Sequence, residues 1–299
     1  MKSFDFKIGI NPISWANDDL PALGGDTPLE RILSEGSEIG YRGFELGNKF
    51  PRAPEELRKV LAHYRVELVS GWYSGELAHR SVDEEIEAVG PHLQLLSSNG
   101  ANVMVYGEVA DSIQGKQAVG LSRRPQFAGD AQWHEYAGRL DAFARYTLSK
   151  GVGLAYHHHM GAYVESVADI DRLMSLTSPD VGLLFDSGHI RFAGGDPLDV
   201  LKRHIARVCH VHCKDVRAEV VDQARKNNWS FLNSVLKGVF TVPGDGAIDF
   251  KPLLTLLRDH GYRGWLVVEA EQDPALAPSY RYAQMGFRYL SELTRTLDR

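Results

Sequence analysis

Gly153-Leu154-Ala155-Tyr156-His157-His158-His159-Met160-Gly161 reads as a short buried strand that runs into three consecutive histidines. Its first four residues have the length and character of a strand covered on both faces, as in a parallel sheet wrapped by helices. Side chains alternate along a strand, so His157 and His159 share one face and His158 takes the other. The same arrangement recurs downstream. Val181-Gly182-Leu183-Leu184-Phe185 passes into Asp186-Ser187-Gly188-His189, and Val208-Cys209-His210-Val211-His212 into Cys213-Lys214-Asp215. Trp265-Leu266-Val267-Val268 then passes into Glu269-Ala270-Glu271.

Working outward, strands are expected near Lys7–Asn11, Gly43–Leu46, Glu67–Ser70, Asn102–Tyr106, Gly153–His157, Gly182–Asp186, Val208–His212 and Trp265–Glu269. Helical spacing fills the intervals. Thr27-Pro28-Leu29-Glu30 offers an N-cap, a proline at the first helical position and an acidic first turn. Ala53-Pro54-Glu55-Glu56 repeats the proline and the acids, while Gly40, Gly151 and Gly261 stand where helices should stop. Eight strands alternating with eight helices predict an α/β fold, a (β/α)8 barrel forming a single domain over residues 1–299. Two stretches are too long for simple connections, Gly107–Ala131 after the fourth strand and Val216–Phe250 after the seventh. Both follow carboxyl ends of strands, which makes them candidate lids or substrate walls. A doubly wound open sheet is the alternative, but no GxGxxG follows the first strand to favour it.

The chain has 299 residues, 43% of them hydrophobic and 24% charged, with a formal net charge of -6. That balance is ordinary for a globular enzyme and argues against a nucleic-acid partner, which requires a basic face. No apolar run reaches membrane-spanning length, and MKSFDFKIG lacks the apolar core of a secretion signal. Two cysteines, Cys209 and Cys213, make no disulfide framework. A cytoplasmic protein without a membrane partner is expected, with a homo-oligomer left open.

In a barrel the carboxyl ends of strands five to eight converge on one rim. A His, an Asp, a second His and a Glu meeting there make a mixed nitrogen and oxygen site, which suits Mn, Co, Fe or Zn better than Mg. Taken singly, Asp186 reads equally well as a helix N-cap. Asn11 and Trp15 after the first strand, Glu45 at the end of the second, Trp72 after the third, and Tyr106 and Glu108 at the fourth are candidate cavity walls. Trp15, Glu45, Trp72 and Tyr106 are the substrate-binding candidates among them, together with Arg217. Arg123-Arg124-Pro125 lacks a glycine-rich helix start, so a solvated loop pair is the reading preferred to a phosphate site.

The motifs DSGH (186–189), HVHCKD (210–215) and VVEAE (267–271) resemble the xylose-isomerase-like barrel superfamily of sugar isomerases, epimerases and dehydratases. Within it, GINPISW, SIQG, AYHHHMG, GLLFDSGHI, VCHVHCKDVR, VFTVPGDGAIDFKP and GWLVVEAEQDP resemble the inosose dehydratase family of inositol catabolism across essentially the whole chain. The resemblance implies a divalent metal, Mn or Co foremost, held by His157, Asp186, His212 and Glu269. The superfamily usually has Glu in the fifth-strand place, so His159 is a second candidate for the position of His157. His189 resembles the family's substrate-contacting histidine, and the strand-end positions make His159, Lys214 and Glu271 further candidate catalytic groups, with a supporting role behind Glu269 as the alternative for Glu271. The expected reaction is dehydration of a cyclitol, 2-keto-myo-inositol, through an enediolate to a trihydroxycyclohexane-1,2-dione. A sugar or cyclitol isomerase or epimerase on the same barrel is the first rival. An endonuclease for apurinic sites would need a basic DNA face, and a barrel that binds a cyclitol without turnover would have lost ligands that this chain retains.

Overall fold

The computed structural model describes residues 6–297; residues 1–5, part of the stretch used for the reading of the leader, and residues 298–299 lie outside them. Eight parallel strands close into a barrel: β1 (Lys7–Ile10), β2 (Gly43–Leu46), β3 (Glu67–Gly75), β4 (Val103–Glu108), β5 (Gly153–His157), β6 (Val181–Asp186), β7 (Val208–Cys213) and β8 (Trp265–Val268). Neighbours follow chain order around the barrel, and β8 returns to β1 with Lys7 opposite Trp265. The helices are α1 (Leu29–Ile39), α2 (Pro54–Tyr64), α3 (Val82–Ser98), α4 (Asp130–Ser149), α5 (Val167–Leu176), α6 (Ser187–Phe192), α7 (Pro197–His204), α8 (Ala218–Lys226), α9 (Phe231–Leu236), α10 (Phe250–Asp259) and α11 (Ser279–Leu297). Among the described residues no helix is long and apolar enough to cross a membrane.

Local chemistry sets most boundaries. Ser81 and Ser166 form capping boxes that start α3 and α5, each worth about 1 kcal/mol. Gly40 closes α1 in the left-handed region at φ 115°, where a side chain would be strained. The start of α1 corrects the sequence reading by one residue. Pro28 is extended at ψ 152° and is itself the N-cap, its carbonyl accepting from Arg31 and Ile32, so Thr27 lies outside the helix. β3 also corrects it, running five residues past Ser70 to Gly75. Gly71 and Gly75 look like strand punctuation, yet Trp72 to Gly75 pair in register with Val105 to Glu108 of β4. That pairing keeps Gly107 in the strand, although it looked like the first residue of a loop.

Large side chains such as Phe44, Tyr106, Phe143 and Phe185 fill the layer between barrel and helices, and Val105, Ala155 and Leu184 pack inside the barrel. The long excursion after β7 carries a two-strand ribbon (Asp215–Val216 with Phe240–Thr241), α8 and α9. With Phe192 of α6 it buries an apolar cluster that includes Val221, Phe231 and Phe240, over the carboxyl end of the barrel. The segment after β4 interlocks with it: the Leu121 N–H donates to the Trp229 carbonyl at 3.2 Å, and Gln117 Nε2 donates to Asn233 Oδ1 at 2.9 Å. Arg124 is no solvated loop cation. Its guanidinium donates to the Ala162 and Tyr163 carbonyls and to Asp169, tying that segment to the loop after β5.

Candidate active site

At the carboxyl end of the barrel is a cavity of about 210 Å³ walled by residues from several strand ends, among them Asn11, Glu45, Trp72, His157, His159, His212, Glu269 and Glu271. His157 closes β5 and Asp186 closes β6, while His212 is the penultimate residue of β7. Ligand atoms of these three lie within 4.8 Å of one another, all buried. The His157 Nδ1–H donates to the His158 carbonyl at 2.7 Å, which leaves Nε2 as a lone pair 3.6 Å from Asp186 Oδ2. Burial holds this imidazole well below its usual pKa, so it is neutral and ready to ligate.

Asp186 divides its oxygens. Oδ1 accepts from the His189 N–H at 2.8 Å and caps α6, while Oδ2 is buried with no hydrogen-bond partner. His212 Nδ1, 3.5 Å from Asp186 Oδ2, is buried without a hydrogen-bond partner in the same way, whereas the buried Glu269 Oε2 is ion-paired with Lys214. A buried polar atom of this kind costs about 1–3 kcal/mol if nothing satisfies it, and two of them face each other at the ends of β6 and β7. A divalent cation fits among Asp186 Oδ2, His157 Nε2 and His212 Nδ1, where it would replace the proton that the raised pKa leaves on His212. Glu269 stands outside the tight trio, with Oε2 2.6 Å from Lys214 Nζ.

Around this set are groups that orient it. Glu45 accepts from Ser70 Oγ at 2.5 Å, from His210 Nε2 at 2.8 Å, from His212 Nε2 at 3.1 Å and from Asn11 Nδ2 at 2.7 Å. Against the effect of burial, His212 and His210 hold this carboxylate well below its ordinary range. Burial lowers His212 too, but Glu45 and Asp186 outweigh it and push the imidazole up to about 10. Glu45, His210 and His212 form a second possible ligand group. Its carboxylate, however, is already filled by four donors, whereas Asp186 keeps a vacant oxygen. A carboxylate gripping the far nitrogen of a histidine is the arrangement that fixes ligand tautomer and aim.

Lys214 is fully buried, its Nζ 3.2 Å from Glu271, 3.7 Å from Asp186 and 2.9 Å from His189 Nε2. Burial disfavours its charge, and the carboxylates of Glu269, Glu271 and Asp186 more than restore it. Burial holds His189 well below its usual pKa, and its Nδ1 accepts from the Met160 N–H at 3.2 Å. His159 lines the cavity, as the alternation predicts, and lies in a third group with Asp19 and Glu271. Trp72 meets both His157 and His159 edge-on, with centroids 5.7 and 5.9 Å away. It lies so close to β4 that a Cβ on Gly107 would come within 2.2 Å of its ring.

A family profile described as Xylose isomerase-like TIM barrel matches residues 33–293. The chain belongs to this family. Family relatives include the Rhizopine catabolism protein MocC of Rhizobium meliloti, 51% identical over 96% of this chain and 88% of its own length. Proteins named inosose dehydratase from Bacillus cereus AH820 and Geobacillus thermodenitrificans are 42% and 44% identical, covering 97% and 96% of this chain and 98% and 96% of their own. Among solved folds, the probable 3-DHS dehydratase AsbF of Bacillus anthracis superposes with a TM-score of 0.69 at 15% identity, over 95% of this chain and 98% of that one.

Four residues expected at the cavity, Tyr106, Glu108, Trp15 and Arg217, do not line it; Glu108 instead accepts from the Tyr106 hydroxyl and the Ala78 and Ala110 N–H groups. Tyr106 points outward against Phe143, its hydroxyl donating to Glu108, because Val105 takes the inward place on β4. Trp15 is buried with Nε1 on Glu35. Arg217 braces the ribbon through the Gly238 and Phe240 carbonyls, Thr241 and Asp245. Conversely, Asp18, Asp19, Arg52 and Gln114 line the cavity and went unrecognised. The acidic pair follows Trp15 in the loop after β1, on the face where the other strand ends gather, and that position was the available signal.

Proposed function

We propose that the protein is a metal-dependent hydro-lyase that removes water from 2-keto-myo-inositol, giving a trihydroxycyclohexane-1,2-dione through an enediolate. The observation that carries this reading is the close buried group of Asp186, with its unpartnered Oδ2, His212 and the neutral His157, with Glu269 beside it. These four would hold the metal, and the inosose dehydratases at 42–44% identity supply the substrate class. A bound divalent cation, with manganese or cobalt favoured, supplies Lewis acidity for negative charge developing on neighbouring oxygens.

The chain's own residues do the rest. Glu45 aims His212 through its far nitrogen, and Lys214 sets a fixed positive charge among Asp186, Glu269 and Glu271. His189 Nε2 lies 2.9 Å from Lys214 Nζ, behind the residues that line the cavity. His159 and Glu271 reach the cavity and are the groups for moving protons: one leaves the carbon beside the ketone, and one joins the departing β-hydroxyl. Trp72 offers a ring face for the apolar face of a cyclitol. The test is proton NMR of 2-keto-myo-inositol in D2O with metal-loaded protein. Loss of hydroxyl-bearing carbon signals with a new dione or enol is expected. Deuterium uptake or a new isomer without water loss would make it an isomerase or epimerase, and no change would leave a binding barrel.

A further inference from the structure

Lys214 lies fully buried behind the cavity wall, and its Nζ reaches two carboxylates that line the cavity, 2.6 Å from Glu269 Oε2 and 3.2 Å from Glu271 Oε2. A lysine stem is long and flexible, so its head stays in one place only where the fold holds it. Two features do so, one at the stem and one at the head. Gly188, the second residue of α6, lies against the stem: a Cβ there would come within 2.5 Å of Lys214 Cγ and 2.7 Å of Cδ. These are mid-chain atoms, and moving them moves the ammonium. Gly188 sits in a helix and not in the left-handed region, so space, not backbone conformation, is what demands glycine in the DSGH motif.

At the head, Lys214 leads directly into the two-strand ribbon, and the antiparallel pairing of Val216 with Phe240 brings the second strand back beside it. The Phe240 ring is fully buried, and Lys214 Nζ lies over its face, 4.4 Å from the centroid. Phe192 and Phe231 pin that ring, with centroids 5.8 and 6.0 Å away. An aromatic face attracts a cation, and does so more strongly where water is excluded; an aliphatic side chain of similar bulk would exclude water without that attraction. We propose that Gly188 and Phe240 form a lysine slot, in which the face of the Phe240 ring is a positioning element for Lys214 and, through it, for Glu269 and Glu271. The effect on turnover rests on reading the cavity as the place where a keto-cyclitol loses water; the contact between ring and ammonium does not.

The test replaces Phe240 in the full chain by mono-, di-, tri- and pentafluorophenylalanine, which nearly keep the ring's shape while weakening its negative face step by step. Fluorine makes the ring more apolar, so packing alone predicts stability that stays level or rises along the series in urea unfolding. The slot predicts a stepwise fall, with the unfolding constant at least about threefold larger for the pentafluoro ring. A level or rising series would overturn it, and if the pentafluoro chain does not fold, the lighter substitutions decide. Turnover of 2-keto-myo-inositol by the manganese-loaded protein is followed over the same series. kcat should fall at least about threefold while KM stays within about twofold. Unchanged kcat with falling stability would reduce the ring to a fold contact and overturn its positioning role. Gly188→Ala, which crowds the stem and leaves the ring, should lower kcat too, and the parent's kcat in a folded variant would strike Gly188 from the slot. If the parent turns nothing over, the proposed function fails, and the unfolding series alone decides the slot.

Discussion

Asp186 ends β6 with one oxygen on a helix N–H and the other facing His157 and His212. The two sequence readings of this residue, helix cap and ligand, are therefore compatible, one for each oxygen. Glu45 acts at one remove. Replacing it with Gln keeps the shape but weakens the grip on His212 Nε2, and manganese affinity should fall about 10–100-fold in a binding titration. An unchanged affinity would remove Glu45 from the account. Tyr106 gives the contrasting case, since its hydroxyl serves Glu108 and not the cavity. Tyr106→Phe should cost about 1–2 kcal/mol in denaturant unfolding and leave KM as it was.

At the scale of elements, the loops after β4, β5 and β7 build one cap over the site. Arg124 is the tie between the first two, only 13% exposed and paired with Asp169 and Glu165. Arg124→Ala should destabilise the fold by about 3 kcal/mol and lower kcat, because the loop it holds carries His159; chemical denaturation and steady-state kinetics read the two effects. Gly107→Ala should push the Trp72 ring aside and raise KM. The barrel itself was legible because strand endings repeat: β2 and β5 fall where expected, and the remaining strands differ mainly at their ends. What was not legible depends on neighbours. The extension of β3 needs β4 beside it, and whether Tyr106 or Val105 faces inward needs the register that pairing sets. The strand-end position of Asp186, His212 and Glu269 was legible because a polar residue closing an apolar strand stands out, whereas Asp19 lies in a loop with no period to mark it.

For the molecule as a whole, buried carboxyls make stability depend on pH. Burial lifts Glu108 from 4.5 to about 7, against the pull of the Ala110 N–H and the Tyr106 hydroxyl. As pH rises from 4.5 to 7 the unfolded chain releases a proton that the folded chain keeps, so this group's contribution to stability falls through that window and levels off above it. Between those limits the difference between Glu108→Gln and the parent should move by up to about 3 kcal/mol in the variant's favour, as measured by urea unfolding at each pH. The central claim joins the metal rim to loss of water from a keto-cyclitol. Its most direct test is to strip the protein of metal, titrate manganese back and follow dione formation from 2-keto-myo-inositol. The account predicts no turnover without metal, a rise that saturates near one equivalent per chain, and no recovery in Asp186→Asn. Full turnover by the stripped protein, or recovery in that variant equal to the parent's, would contradict it.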